Sequence, residues 1–161
     1  MTIERVVVNA SPLITLFKSQ LADLLPQLFD QIQIPPAVWQ EVTASKDDIA
    51  AQSLPHNTWA TQTGAININP LVSAWDLGAG ESEVLSYALS HPDHTAMIDD
   101  AAARRCAISF NISTLGTGGM IVLAKRRGLI PSVIEPIQAL RNAGLWLSED
   151  LVNLLKRQAR E

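Results

Sequence analysis

A single cysteine, Cys106, stands among the 161 residues, so no disulfide can close within the chain. Nothing therefore points to an oxidising compartment. No apolar run approaches the ~20 residues that span a bilayer. The opening residues, Met1 to Arg5, lack the basic start and small-residue cleavage site of a signal peptide. A cytoplasmic protein without a membrane segment is expected. Charge is sparse, 17% against 47% hydrophobic residues, which excludes a disordered polyelectrolyte and allows a proper core. Aromatic residues make up only 5%, and Trp39, Trp59, Trp75 and Trp146 are scattered without basic residues between them. No base-stacking platform is expected from that spacing. Repeats and low-complexity tracts are absent, and the length suits one domain over 1–161.

The charge that is present divides unevenly. Residues 1–100 hold 3 Lys+Arg against 12 Asp+Glu, or −9, and residues 101–161 hold 9 against 4, or +5, summing to the net −4. A total this acidic argues against broad coating of nucleic acid. An acidic, cation-holding cluster beside a basic surface would produce the asymmetry, and so would an ordinary solvated surface.

Short apolar runs alternate with helical segments. Val6-Val7-Val8 reads as a strand buried on both faces. Ser11 is a good N-cap and Pro12 a good first helical residue, which predicts a helix to about Lys18. Further helices are expected over Leu21–Leu28, from Pro36 through Val42, over Asp48–Gln52, Gly80–Ser90, Ala101–Ile108, Thr117–Arg127, Val133–Ala143 and Glu149–Gln158. Strands are expected at Ile32–Ile34, Ala65–Ile68, Ala96–Ile98 and around Ile112. Such alternation indicates a mostly parallel sheet covered on both faces, in which ligands bind beyond the carboxyl ends of the strands.

Several acidic residues fall at those ends. Asp99-Asp100 follows the strand ending at Ile98, and two adjacent like charges are costly unless a cation offsets them. Hard divalent cations prefer oxygen donors of this kind. Asp before Ala101-Ala102-Ala103 is equally a helix N-cap, so one of the pair is expected to cap and the other to be free. Glu81 precedes Val84 and Leu85 on the inward helix face, whereas Glu83 falls on a more polar one; simple compensation of the helix dipole is the alternative. Glu41 sits beside Val38 and Val42 near a buried edge, where a snorkelling surface glutamate is the alternative. Asn9 closes the first strand, either bonding local backbone or serving as a neutral oxygen donor.

Other features carry less. Gly116-Thr117-Gly118-Gly119 lacks the spacing of a phosphate-binding loop and reads as a tight turn into a helix. Lys125-Arg126-Arg127-Gly128 fits a helix C-terminus with its glycine cap, and a phosphate contact is the alternative. His56, His91 and His94 read as exposed loop residues, and Cys106 as packing among alanines.

Five segments in order carry a family resemblance: Asn9-Ala-Ser-Pro-Leu-Ile, Ile34-Pro-Pro-Ala-Val-Trp-Gln-Glu41, Leu77-Gly-Ala-Gly-Glu81-Ser-Glu, Ile98-Asp-Asp-Ala-Ala-Ala-Arg104 and Leu115-Gly-Thr-Gly-Gly. Together they resemble the PIN-like domains, more narrowly a prokaryotic subfamily described as nucleic-acid-binding, over about Val6 to Leu155. The resemblance implies a Rossmann-like α/β fold, three α/β/α layers about a central, mostly parallel twisted sheet, with the C-terminal helices (about 133–158) packed on it. It implies a metal-dependent endoribonuclease using Mg²⁺ or Mn²⁺, in many cases the toxin of a toxin–antitoxin pair of the VapC kind. Glu41, Glu81, Asp99 and Asp100 match the metal-holding positions, with Asn9 and the hydroxyl of Thr117 completing the catalytic set. Ser11, Arg104 and Arg105 fall where the nucleic-acid backbone would be held. Implied partners are RNA, with DNA as the alternative, an antitoxin-like protein and a second copy of the chain. One departure stands out, because the family's nucleases usually carry Asp where this chain has Asn9. A catalytically weakened nucleic-acid-binding or protein-interaction module is therefore the alternative function.

Overall fold

A computed structural model describes residues 3–161. Its strands are β1 (Arg5–Val8), β2 (Gln31–Ile34), β3 (Ala60–Gln62), β4 (Thr95–Met97) and β5 (Thr114–Leu115). The helices before β4 are α1 (Ala10–Lys18), α2 (Leu24–Leu28), α3 (Pro36–Thr43), α4 (Ile49–Ser53), α5 (Pro70–Ser73) and α6 (Ala79–Ser90). Those after it are α7 (Ala101–Ser109), α8 (Thr117–Arg126), α9 (Ile134–Asn142) and α10 (Glu149–Gln158), and a 3₁₀ turn covers Leu54–His56.

Among the described residues the strands form one parallel sheet in the order β3-β2-β1-β4-β5. Val6, Val7 and Val8 are fully buried at its centre, as a continuous apolar run in a doubly covered sheet requires. Helices α1, α3, α4 and α6 pack on one another, as do α2, α8, α9 and α10, giving the three α/β/α layers. The chain moves outward from β1 in one direction and, after β4, in the other. The crevice between β1 and β4 is therefore the topological switch point, where open α/β sheets bind ligands.

Several local expectations shift, each for a physical reason. Helix α1 starts at Ala10, with Asn9 rather than Ser11 as its N-cap, because the Asn9 N–H is still committed to the Met97 carbonyl (3.0 Å). Pro12 then falls third in the helix, where its missing N–H has no intrahelical partner to lose. The third strand is Ala60–Gln62, not Ala65–Ile68, since those earlier residues align with Ile32–Ile34. The last strand is Thr114–Leu115 instead of a segment at Ile112, because α7 closes with Asn111 in the left-handed region (φ 57°) before the chain can extend. His94 is 5% exposed, not a solvated loop residue: its ring packs edge-on against Tyr87 (centroids 5.2 Å apart) and its Nδ1 meets Asp93 Oδ1 at 3.0 Å. Burial also pushes the Cys106 thiol pKa up, consistent with a packing residue.

Candidate active site

Asn9 is the residue about which the site is built. It is 2% exposed and held by its ladder bond to β4. Its Nδ2 donates to Glu81 Oε1 at 3.3 Å. That orientation of the amide is dictated by chemistry, since an ionised carboxylate only accepts. The Oδ1 atom must then point the other way, where it is buried and without a hydrogen-bond partner among the described residues.

What Oδ1 faces is a space over Gly80. A Cβ on Gly80 would stand 3.3 Å from Asn9 Oδ1, 3.3 Å from Val38 Cγ2 and 3.5 Å from Glu41 Oε2. Two oxygen acceptors, one neutral and one anionic, thus converge on one point that a side chain at residue 80 would fill. The buried Asn9 Oδ1 lacks a partner there, whereas Glu41 is exposed, as a surface glutamate would be and not at a buried edge, and reaches the space from the solvent side. Helix α6 supplies Glu81 and Gly80 from its first turn, and α3 supplies Glu41 from its last. Glu83 helps set the two helices: its Oε1 accepts from the Ala37 N–H at 3.0 Å, capping α3 from α6. The polar face expected for Glu83 is therefore an inter-helix contact.

Asp99 and Thr117 form the second half, at the ends of β4 and β5. Asp99 Oδ1 accepts from the Thr117 N–H (2.8 Å) and Oδ2 from the Thr117 hydroxyl (2.5 Å). Thr117 is fully buried, so this pair fixes Asp99 in place. Asp100 is the capping member of the two, its Oδ2 accepting from the Ala103 N–H at 2.8 Å. Neither carboxylate is wholly free, in contrast to the simple division of one cap and one free group.

The basic residues separate into two groups. Lys125, Arg126 and Arg127 are tied to main-chain carbonyls of other segments at Ala159, Gln158, Leu28 and Ile3, with Lys125 also reaching Glu161. Gly128 follows with φ 77°, the left-handed turn a helix end takes. Arg104 is different. Its Nη1 and Asp99 Oδ1 flank Gly116, 3.1 and 3.3 Å from where a Cβ there would lie, yet Arg104 has no ion pair among the described residues. Arg105 and Ser11 are exposed without a side-chain role in the fold.

The donors are oxygen only, which is the chemistry hard divalent cations take. The Asn9 amide oxygen and the Glu41 carboxylate fit one side of such an ion, and Glu81 stands next to them on the Asn9 Nδ2. Among the described residues no group of three His, Cys, Asp or Glu side chains is placed to hold a metal, so no three of Glu41, Glu81, Asp99 and Asp100 converge on one point. No helix among the described residues is long and apolar enough to cross a membrane.

Comparison with known proteins agrees with this architecture. A family model described as a PIN domain (DUF3368) matches residues 5–161. No curated protein and no solved structure matches the chain. A parallel sheet, acidic groups at its switch point and a match over almost the whole length leave one assignment: the chain belongs to the PIN-domain family.

Proposed function

We propose that this PIN domain is a metal-dependent endoribonuclease that hydrolyses phosphodiesters at the crevice between β1 and β4. Membership of the family supports a nuclease-like role on nucleic acid. The observation that carries the finer reading is the buried, unpartnered Asn9 Oδ1, which faces a space over Gly80 that the Glu41 carboxylate also borders. Glu41, Glu81 and the Asn9 oxygen would hold Mg²⁺ or Mn²⁺, with Asp99 and Asp100 bordering the same edge. A bound divalent ion would lower the pKa of water and offset charge on the phosphoryl oxygens. The chain's own groups do the rest. Glu81 fixes the Asn9 amide, Thr117 fixes Asp99 as an acceptor for a proton of the attacking water, and Arg104, Arg105 and Ser11 hold the phosphate backbone.

The test is incubation of purified protein with single-stranded RNA and Mn²⁺, wild type against Glu81→Gln and Asp99→Asn. Each variant is expected to lose about 100-fold or more in rate, in line with loss of a positioned charged group. Equal cleavage by all three would assign the activity to contamination.

One observation favours a second reading. With Asn9 in place of an acid, and no three acidic side chains gathered to hold a metal among the described residues, the site suits binding without turnover. That reading expects salt-dependent RNA or DNA binding and no metal-dependent cleavage, with cleavage gained in Asn9→Asp. A toxin role neutralised by an antitoxin-like partner has its own check, a small DNA-binding protein encoded directly upstream.

A further inference from the structure

Beside Asp99 a cavity of about 240 Å³ opens between the start of α8 and helix α10. Leu147, Leu151, Leu154 and Leu155 line it together with the polar side chains of Asp99, Arg104, Thr114 and Gln158. Glycine at position 118 keeps the wall close, since a Cβ there would lie 2.8 Å from Leu155 Cδ1. Leu151 and Leu154 remain 38% and 41% exposed, and Trp146, next in the chain to Leu147, is 81% exposed. Exposed leucine surface in a cavity with a part-polar lining suits a ligand that is itself part apolar and part polar.

Its chemistry is mixed in a particular way. The walls are aliphatic, suited to the face of a flat ring, while the one charged donor at the rim is an arginine without an ion pair among the described residues. A planar guanidinium presents two parallel donors to a phosphate. A ligand with a flat, weakly polar ring joined to a phosphate satisfies both ends at once. A lone anion would leave the leucines wet, and a purely apolar side chain would leave Arg104 unpaired.

We propose that this cavity is a base-binding subsite, taking one nucleobase of a single-stranded substrate while Arg104 holds the phosphate attached to it. The proposal deepens the nuclease reading by naming how the strand is registered. A base seated between the leucines fixes which phosphate lies at Asp99, so cleavage position follows the base that fits.

The probes are the four nucleoside 5′-monophosphates and ribose 5-phosphate, titrated calorimetrically into the full chain in metal-free buffer. At least one mononucleotide is expected to bind about tenfold more tightly than ribose 5-phosphate, the difference being burial of the ring face against the leucines. Leu154→Asn and Leu151→Ala are expected to remove most of that difference, and both positions are exposed enough for the fold to tolerate them. Arg104→Gln should weaken mononucleotide and ribose 5-phosphate alike, by about tenfold. Leu71→Ala, on α5, is the control and should change nothing. Equal binding of mononucleotides and ribose 5-phosphate, binding indifferent to both leucine changes, or no binding would each overturn the subsite. Cleavage is scored separately with Glu81→Gln, so failure of hydrolysis and failure of the pocket are distinguishable. Seating of a protein partner's side chain instead would appear as no nucleotide binding, which counts against the proposal.

Discussion

Asn9 and Glu81 are joined by a hydrogen bond of 3.3 Å from Nδ2 to Oε1, linking the end of β1 to the first turn of α6 across 72 positions of sequence. The bond does two things. It restrains a carboxylate at the edge of the sheet, and it turns the amide oxygen toward Gly80 and Glu41. A negatively charged residue at position 9 would keep the oxygen and lose the donor. The consequences can be measured.

Asn9→Asp removes the amide donor and sets a third carboxylate beside Glu81 and Glu41. Without metal the variant should be less stable by about 1–3 kcal/mol, through the lost bond and like-charge repulsion. With Mn²⁺ its thermal midpoint should rise by more than that of the wild type, because an ion that binds only the folded state stabilises by mass action. Matching Mn²⁺ responses in the two proteins would remove Asn9 from the cation site.

Gly80→Ala places a methyl group where Asn9 Oδ1, Val38 Cγ2 and Glu41 Oε2 converge. Contacts at 3.3 Å are tight but yield to small side-chain shifts, so unfolding free energy should change by only about 1 kcal/mol. The Mn²⁺-induced rise in melting temperature should disappear. Retention of the full rise, measured by differential scanning calorimetry, would place the ion elsewhere.

Thr117→Val is nearly isosteric, and it removes the hydroxyl that Asp99 accepts in a fully buried position. Leaving the carboxylate short of a donor should cost about 1–3 kcal/mol in chemical denaturation, with an unchanged slope. Cleavage by the variant should also fall, since the remaining N–H bond alone holds Asp99 less rigidly.

Glu161 gives a pH dependence outside the site. Its carboxylate accepts from the Ser132 hydroxyl, the Val133 N–H (2.8 Å) and Lys125 Nζ (3.1 Å), and the first of these bonds above all lowers its pKa from 4.5 to about 2. A group depressed in the folded state binds its proton more readily when unfolded. Its contribution is therefore complete above pH 4.5 and is lost as pH falls towards 2. Glu161→Gln should flatten that limb of the stability curve, and an unaltered acid profile would show that these contacts add nothing.

Much of the fold was legible in local pattern. The run Val6–Val8 became the central strand, and α10 spans Glu149–Gln158 as its amphipathic pattern indicates. Asp100 caps α7, the role open to either aspartate of the pair. Strand register was less legible: Ala65–Ile68 alternates well, but pairing with Ile32–Ile34 goes to Ala60–Gln62. Alternation says which residues could form a strand, while the connection between α4 and β3 decides which ones reach the neighbour.

The site divides in the same manner. Residue type and spacing brought Asn9, Glu41, Glu81 and Asp99 into consideration, because acidic or polar groups at strand ends and first turns are visible as pattern, while Thr117 entered through the family resemblance. Tertiary structure alone settled their commitments. It paired Asn9 with Glu81, tied Asp99 to Thr117, set Glu83 on α3, buried His94 and placed an unpaired Arg104 beside a leucine-walled cavity. The physical reason is range. Helix faces and strand ends follow from neighbours within a turn, whereas a hydrogen bond across 72 positions depends on where the whole sheet brings two backbones together.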